Sequence, residues 1–165
     1  MVGMRWLKHL FSGPWRLRLL FPKRSLDAIE AAIADSERAH MGEIRFAVES
    51  ALDLGDLFRG VTARQRAIEV FSQARVWDTE HNSGVLIYLL LADRRVEIIA
   101  DRGIHAKVGD AVWSVICQDM EAHFRSGDFE RGVINGISAV NVILSQHFPI
   151  TGANSNEMPN QPILV

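Results

Sequence analysis

Two short polar stretches carry the residue types in this chain best suited to chemistry. The first spans Asp78, Glu80, His81 and Asn82; the second runs from Asp101 and Arg102 through His105 to Asp110. Between them lie eight uncharged residues (Val85 to Ala92), a turn at Asp93-Arg94-Arg95, and a second apolar run. A hairpin of this form sets the start of its first strand beside the end of its second. The two polar stretches therefore meet at one end of a sheet. Carboxylate and amide oxygens from several loops are what a hard cation such as calcium takes, whereas carboxylates with imidazole suit zinc or manganese. Glu80, Asn82, Asp101 and Asp110 are the expected ligands of a divalent cation. His81 and His105 rank behind them, and Arg102 is placed to neutralise an anion. Helix capping is the competing account of Asp110, as it is of Asp128. A second candidate end, near Asp53, Asp56 and Asp93, is where open parallel sheets usually take ligands. Asp93, however, has an ordinary role as a turn residue.

Other chemistries leave no trace. There is no Gly-x-Ser-x-Gly elbow, Walker loop, Cys-x-x-Cys pair or His-Glu-x-x-His helix. No organic cofactor is expected. Gly132 and Gly136 lie in a helical pattern and read as a site of close helix packing. The one cysteine, Cys117, excludes an internal disulfide and reads as a buried small residue.

The elements that position the two polar stretches follow from periodicity. Ser25 caps a helix to about Ala39, with Leu26, Ile29 and Ile33 as its stripe and Gly42 beyond its end. Ile44, Phe46 and Val48 alternate with Glu43, Arg45 and Glu49, the period of a half-exposed strand. Gly55 and Gly60 bracket a loop. Thr62 and Gln65 have capping-box spacing and open a helix to about Trp77, with Ala67, Ile68 and Phe71 inward. The uncharged run from Val85 reads as a strand covered on both faces. Asp110 caps a helix with Val112, Val115, Ile116, Met120 and Phe124 on or near one face. Asp128 caps another, with Phe129, Val133, Ile137, Val140 and Leu144 inward. The order is helix-strand-helix-strand-strand-helix-helix. A parallel crossover followed by an antiparallel pair predicts an α/β fold, a three-layer α/β/α sandwich on a small mixed sheet. Residues 1–24 read as a basic aromatic arm, 25–148 as the domain and 149–165 as a mobile tail.

The arm concentrates charge. It holds six of the 18 Lys and Arg and no acid, leaving 12 basic against 20 acidic residues elsewhere. With a net charge of −2 overall, no nucleic-acid partner is expected. The arm suits the domain's own acidic surface, an unknown protein partner, or an anionic membrane surface. Its longest aliphatic and aromatic run, Leu19-Leu20-Phe21, is too short for a secretory signal. A cytoplasmic, membrane-associated location is therefore expected.

Several motifs together resemble the TPM-domain family, which includes a thylakoid-lumen acid phosphatase, photosystem II repair factors and a receptor modulator. Trp77 precedes a polar loop, as in that family. Asn82-Ser83-Gly84-Val85-Leu86 is similar to its Asp-Asn-Gly-Val-Leu signature, and Asp93-Arg94-Arg95-Val96 to its Asp-Arg-Lys-Val turn. Asp110-Ala111 and Phe124-Arg125-Ser126-Gly127-Asp128-Phe129 extend the match. The resemblance covers roughly Ser25 to Phe148. It implies a small α/β/α fold, binding of a divalent cation (often calcium) and weak phosphatase activity in some members. Carried over, it favours Asn82, Asp101 and Asp110 as site positions. Asn82 stands where the family usually has Asp, which removes one negative ligand. The expected function is binding of a divalent cation or a partner protein in the assembly or maintenance of membrane proteins. The alternatives are a metal-dependent phosphatase and a metal-free interaction module.

Overall fold

The computed structural model describes residues 2–152 and 156–165, the first three of these by backbone alone. Met1 of the arm and residues 153–155 of the expected mobile tail lie outside the described residues. The arm forms two helices, α1 (Val2–Leu10) and α2 (Pro14–Leu20), separated at Gly13-Pro14. Proline opens α2 because the first helical N–H needs no intrahelical partner. Then follow α3 (Lys23–Ser36), β1 (Glu43–Glu49), α4 (Leu54–Phe58), α5 (Ala63–Gln73), β2 (Gly84–Leu90) and β3 (Arg95–Ala100). The chain ends with α6 (Arg102–Val108), α7 (Asp110–Arg125), α8 (Phe129–His147) and β4 (Ile163–Leu164).

The sheet order is β3-β2-β1-β4. β1 and β2 run parallel from Glu43↔Gly84 to Glu49↔Leu90, and β2 pairs antiparallel with β3 from Val85↔Ala100 to Leu90↔Arg95. β2 is thus interior, and every residue in it is buried. On one face Ile44, Phe46, Val48, Val85, Ile87 and Leu89 pack against α3, α7 and α8. On the other, Ala47, Leu86, Tyr88 and Leu90 pack against α5 and Met158. The result is the three-layer α/β/α sandwich on a mixed sheet.

Several local expectations are corrected. α3 begins at Lys23 with Pro22 at the N-cap and stops at Ser36, so Ser25 is not a cap; its hydroxyl donates instead to Glu130 of α8. The loop bracketed by glycines holds α4, capped by Asp53 through its Asp56 N–H contact of 2.8 Å. The Thr62–Gln65 capping box forms, but α5 ends at Gln73 and Ile68 faces solvent. In α7 the inward row is Trp113, Ile116, Met120 and Phe124. Val112 and Val115 fall outside that stripe and are exposed. Asp110 is the first helical residue after Gly109, and neither it nor Asp128 caps through its side chain. Cys117 is half-buried, and burial pushes its thiol up to about 12. Gly132 and Gly136 do sit at close packing: a Cβ on either would collide with Phe124 or Met120.

Two differences reshape the ends. Leu17 and Phe21 of the arm belong to the core. The C-terminal segment is not without structure, because Ile163 and Leu164 pair with Ala47 and Val48 as a short parallel strand. The largest difference concerns β1. It is buried along its whole length, not half-exposed. Its second face lies under α5 and the 157–158 segment, which meet Glu49 through Arg66 and Glu43 through the Glu157 N–H.

Candidate cation site at the mouth of the hairpin

The antiparallel register brings the two polar stretches together. Val85 faces Ala100, and the Asp101 N–H donates to the Gly84 carbonyl at 2.9 Å. The loop before β2 is a tight turn. The Asn82 N–H reaches the Thr79 carbonyl at 3.2 Å, and the Ser83 N–H reaches Thr79 Oγ1 at 2.9 Å. Asn82 takes a φ of 50°, in the left-handed region that Asn tolerates better than most side chains.

Asp101 is the N-cap of α6. Its Oδ1 accepts the Arg102 N–H at 2.7 Å, and its carbonyl accepts the Ile104 and His105 N–H groups. Among the described residues, its Oδ2 is buried with no hydrogen-bond partner. Gly103 follows, and a Cβ there would sit 2.6 Å from the Asn82 carbonyl oxygen and 2.9 Å from that of His81. Only glycine lets those two carbonyls lie against the first turn of α6. Asn82 Oδ1 accepts from Arg102 Nε at 3.2 Å.

The other expected residues stand further out. The exposed Asp110 carboxylate is 3.5 Å from His105 Nδ1. The exposed Glu80 engages through its backbone N–H, which donates to Glu157 at 3.1 Å. His81 lines a neighbouring cavity of about 370 Å³ with Met41, Gly103, Lys107, His147 and Phe148. The structure thus joins Asn82, Asp101 and Arg102, and separately His105 with Asp110. Among the described residues, no three His, Cys, Asp or Glu side chains gather as a metal-holding group. The oxygen donors at this end of the sheet are a carboxylate oxygen with no hydrogen-bond partner among the described residues, an amide oxygen and backbone carbonyls. That set fits a hard, oxygen-binding cation better than zinc.

The second candidate end is taken up by structure. Asp53 caps α4 and Asp56 pairs with Arg59. Asp93 holds the arm: Arg5 Nη2 lies 3.0 Å from Oδ2, and His9 Nε2 lies 3.0 Å from Oδ1. Burial opposes ionisation of Asp93, but the Arg5 and His9 hydrogen bonds outweigh it and hold the carboxyl below its usual range.

Periodicity hid a further group of ionisable residues. Glu37, His40, Glu43, Arg45 and Glu49 are all buried. Glu37 Oε1 accepts the Ile44 N–H, and Glu43 Oε1 accepts the Glu157 N–H, each at 3.0 Å. Burial pushes the Glu37 carboxyl up to about 8 against the Ile44 hydrogen bond, and the charge of Glu43 adds to the rise. Burial likewise raises Glu43 and lowers His40 and Arg45. Glu49 is better served: it pairs with Arg66 at 2.9 Å and accepts the Tyr88 hydroxyl at 2.6 Å. For Glu43, Arg45 and Glu49 the signal that could have revealed them is the crossover itself. A strand paired to a wholly apolar neighbour lies deep in the sheet, whatever its own alternation.

A family model described as "TPM domain" matches residues 19–143. The solution structure of the BA42 protein from the psychrophilic bacterium Bizionia argentinensis is similar at 29% identity. It has a TM-score of 0.76 and covers 86% of this chain and 93% of its own. The N-terminal domain of a protein from P. gingivalis is similar in fold, at 24% identity and a TM-score of 0.57, covering 74% of this chain and 76% of its own. No curated protein matches the chain.

Proposed function

The chain belongs to the TPM-domain family, and from that premise we propose that it is a divalent-cation-binding module serving the assembly or maintenance of membrane proteins. The observation that carries the cation is the Asp101 Oδ2, buried and without a hydrogen-bond partner among the described residues. An unmatched carboxylate oxygen in that setting costs about 1–3 kcal/mol or more, which a cation would offset. Asp101 would hold the ion, with Asn82 Oδ1 and the His81 and Asn82 carbonyls as further oxygen donors. When bound, a divalent ion supplies local positive charge at the hairpin mouth. Arg102 supplies positive charge there through its Asn82 hydrogen bond, so it would have to give up that acceptor. The 79–83 loop and the start of α6 would then be tied together, which fixes the surface offered to a partner.

Calcium, magnesium, manganese and zinc titrations followed by NMR test this directly. Calcium is expected to shift residues 78–83 and 101–110 and leave the far end of the sheet unchanged. Asp101→Asn keeps the helix-capping oxygen but removes the charge, and should weaken binding roughly 10–100-fold. A folded sample that shows no shift with any of the four metals would sink the cation reading.

The neighbouring cavity favours one second reading. Its lining includes Lys107, His81 and His147 and no carboxylate, a setting suited to a phosphate ester. In a metal-dependent phosphatase, Arg102 and Lys107 would neutralise the phosphate and the cavity would orient it. Hydrolysis of p-nitrophenyl phosphate with each metal is the check. Lys107→Ala should lower any turnover about tenfold or more, and no turnover with any metal would leave the binding module alone.

A further inference from the structure

We propose that the outer face of α1 and α2 is a docking surface for an anionic lipid bilayer. This goes beyond the cation module and does not depend on the hairpin site. The inner side of the arm is fixed to the domain. Arg5 donates to Asp93 and to the Val61 carbonyl at 3.0 Å. His9 Nδ1 accepts the Leu52 N–H at 3.0 Å. A neutral His9 therefore carries its proton on Nε2, which donates to Asp93. Trp6 meets Phe58 edge-on at 4.4 Å, and Leu17 and Phe21 sit in the core.

Fixing those residues turns five large apolar side chains outward. Leu7, Leu10, Phe11, Trp15 and Leu19 are 54%, 67%, 71%, 63% and 69% exposed. Scattered exposed apolar residues need no explanation, but five within thirteen positions on one docked arm are a concentration that calls for an apolar partner. Exposed Lys8, Arg18 and Arg24 lie among or just beyond them, and no acid occurs before Asp27. A groove of about 510 Å³ adjoins the arm, lined mainly by Pro14, Leu17, Leu164 and Val165 with Arg18.

Charge decides the occupant. A second copy meeting this face with its own would set basic side chains against basic side chains. An anionic bilayer complements the charge and takes the aromatic rings at the headgroup boundary. The adjoining apolar groove extends the same chemistry inward. Among the described residues no helix is long and apolar enough to cross a membrane, so the contact is peripheral.

Co-sedimentation of the full chain with phosphatidylcholine vesicles, with and without phosphatidylglycerol, tests the surface. Binding is expected only to the anionic vesicles and should weaken with salt. Each basic residue near the surface strengthens binding by roughly fivefold, so Lys8→Glu with Arg18→Glu should reduce it at least about 25-fold. Phe11→Ser with Trp15→Ser should also release the protein, with thermal melting unchanged because both side chains are exposed. Asp101→Asn should bind vesicles as the parent does, which separates this surface from the cation site. Equal binding to neutral vesicles, no binding, or retention by both double variants would overturn the proposal. So would light scattering that shows a dimer dispersed by the Phe11 and Trp15 changes.

Discussion

Gly84→Ala is expected to destabilise the protein by about 4 kcal/mol or more, enough to leave little folded material at ordinary temperatures. A Cβ at Gly84 would overlap the carbonyl oxygen of buried Val76. Neither side can retreat. Gly84 is the first ladder residue of β2, paired to Glu43, and its carbonyl holds the Asp101 N–H. Val76 sits in the turn after α5, its N–H bonded to the Phe71 carbonyl at 3.1 Å. Backbone meeting backbone cannot be relieved by a rotamer change. Gly136→Ala provides the contrast. Its Cβ would press on the thioether of Met120, a flexible side chain that can repack, so its cost should be about 1–3 kcal/mol. Urea denaturation of the two variants measures both. A Gly84→Ala protein within about 1 kcal/mol of the parent would show that the α5–β2 turn gives way more easily than its hydrogen bonds imply.

Glu37→Gln is expected to stabilise the protein near pH 8 and to leave it almost unchanged near pH 4.5. The Glu37 carboxyl sits at about 8 in the folded protein, against an ordinary value of 4.5. Between those limits the folded protein keeps a proton that the unfolded chain releases. Stability therefore falls as pH rises through that window and levels off above it. At roughly 1.4 kcal/mol per pH unit, the slope accumulates to about 2–4 kcal/mol at pH 8. Glutamine keeps an oxygen for the Ile44 N–H and removes the ionisation. Because Glu43 is also raised, a shallower slope should persist in the variant. Urea midpoints at pH 5 and pH 8 are the measurement. A parent protein equally stable at both would mean that the carboxyls are not held protonated.

The parts of this fold legible in the sequence are those where a local rule and the tertiary setting agree. The uncharged run beginning at Val85 is an interior strand, and nothing in its composition offers another answer. Thr62 and Gln65 form their box within four residues and need no distant partner. The meeting of the loop before β2 with the start of α6 followed from hairpin polarity alone. The legible parts stop where burial is decided at a distance. β1 can alternate like a solvated strand because Glu49 meets Arg66 and Tyr88, and Glu43 the Glu157 N–H, inside the protein. β4 is two residues long and gains its place from the open edge of β1, not from any pattern of its own. α6 is a single short helix started by Asp101, a residue read for its carboxylate and not as a cap. The family signature is also easier to understand as geometry. The glycine in Asn82-Ser83-Gly84 is required where β2 passes Val76, and Gly103 where α6 meets the loop carbonyls.

The two margins of the sheet are sealed by unequal means. Along β3, side chains occupy the outer backbone groups: Glu121 takes the Val96 N–H at 3.1 Å and Arg64 approaches the Ile98 carbonyl at 3.5 Å. Uncovering that margin means displacing the 16-residue helix α7. Along β1, Glu37 Oε1 takes the Ile44 N–H at 3.0 Å, and beyond it the seal is two ladder positions and one further bond from the Val165 N–H to the Val48 carbonyl at 3.0 Å. Thermal fraying will therefore be lopsided. The β1 margin opens first, presenting a flat, unpaired ladder to whatever chain is near. Strand exchange between molecules, and the earliest steps of misassembly, should start at β1 and leave the β3 margin closed.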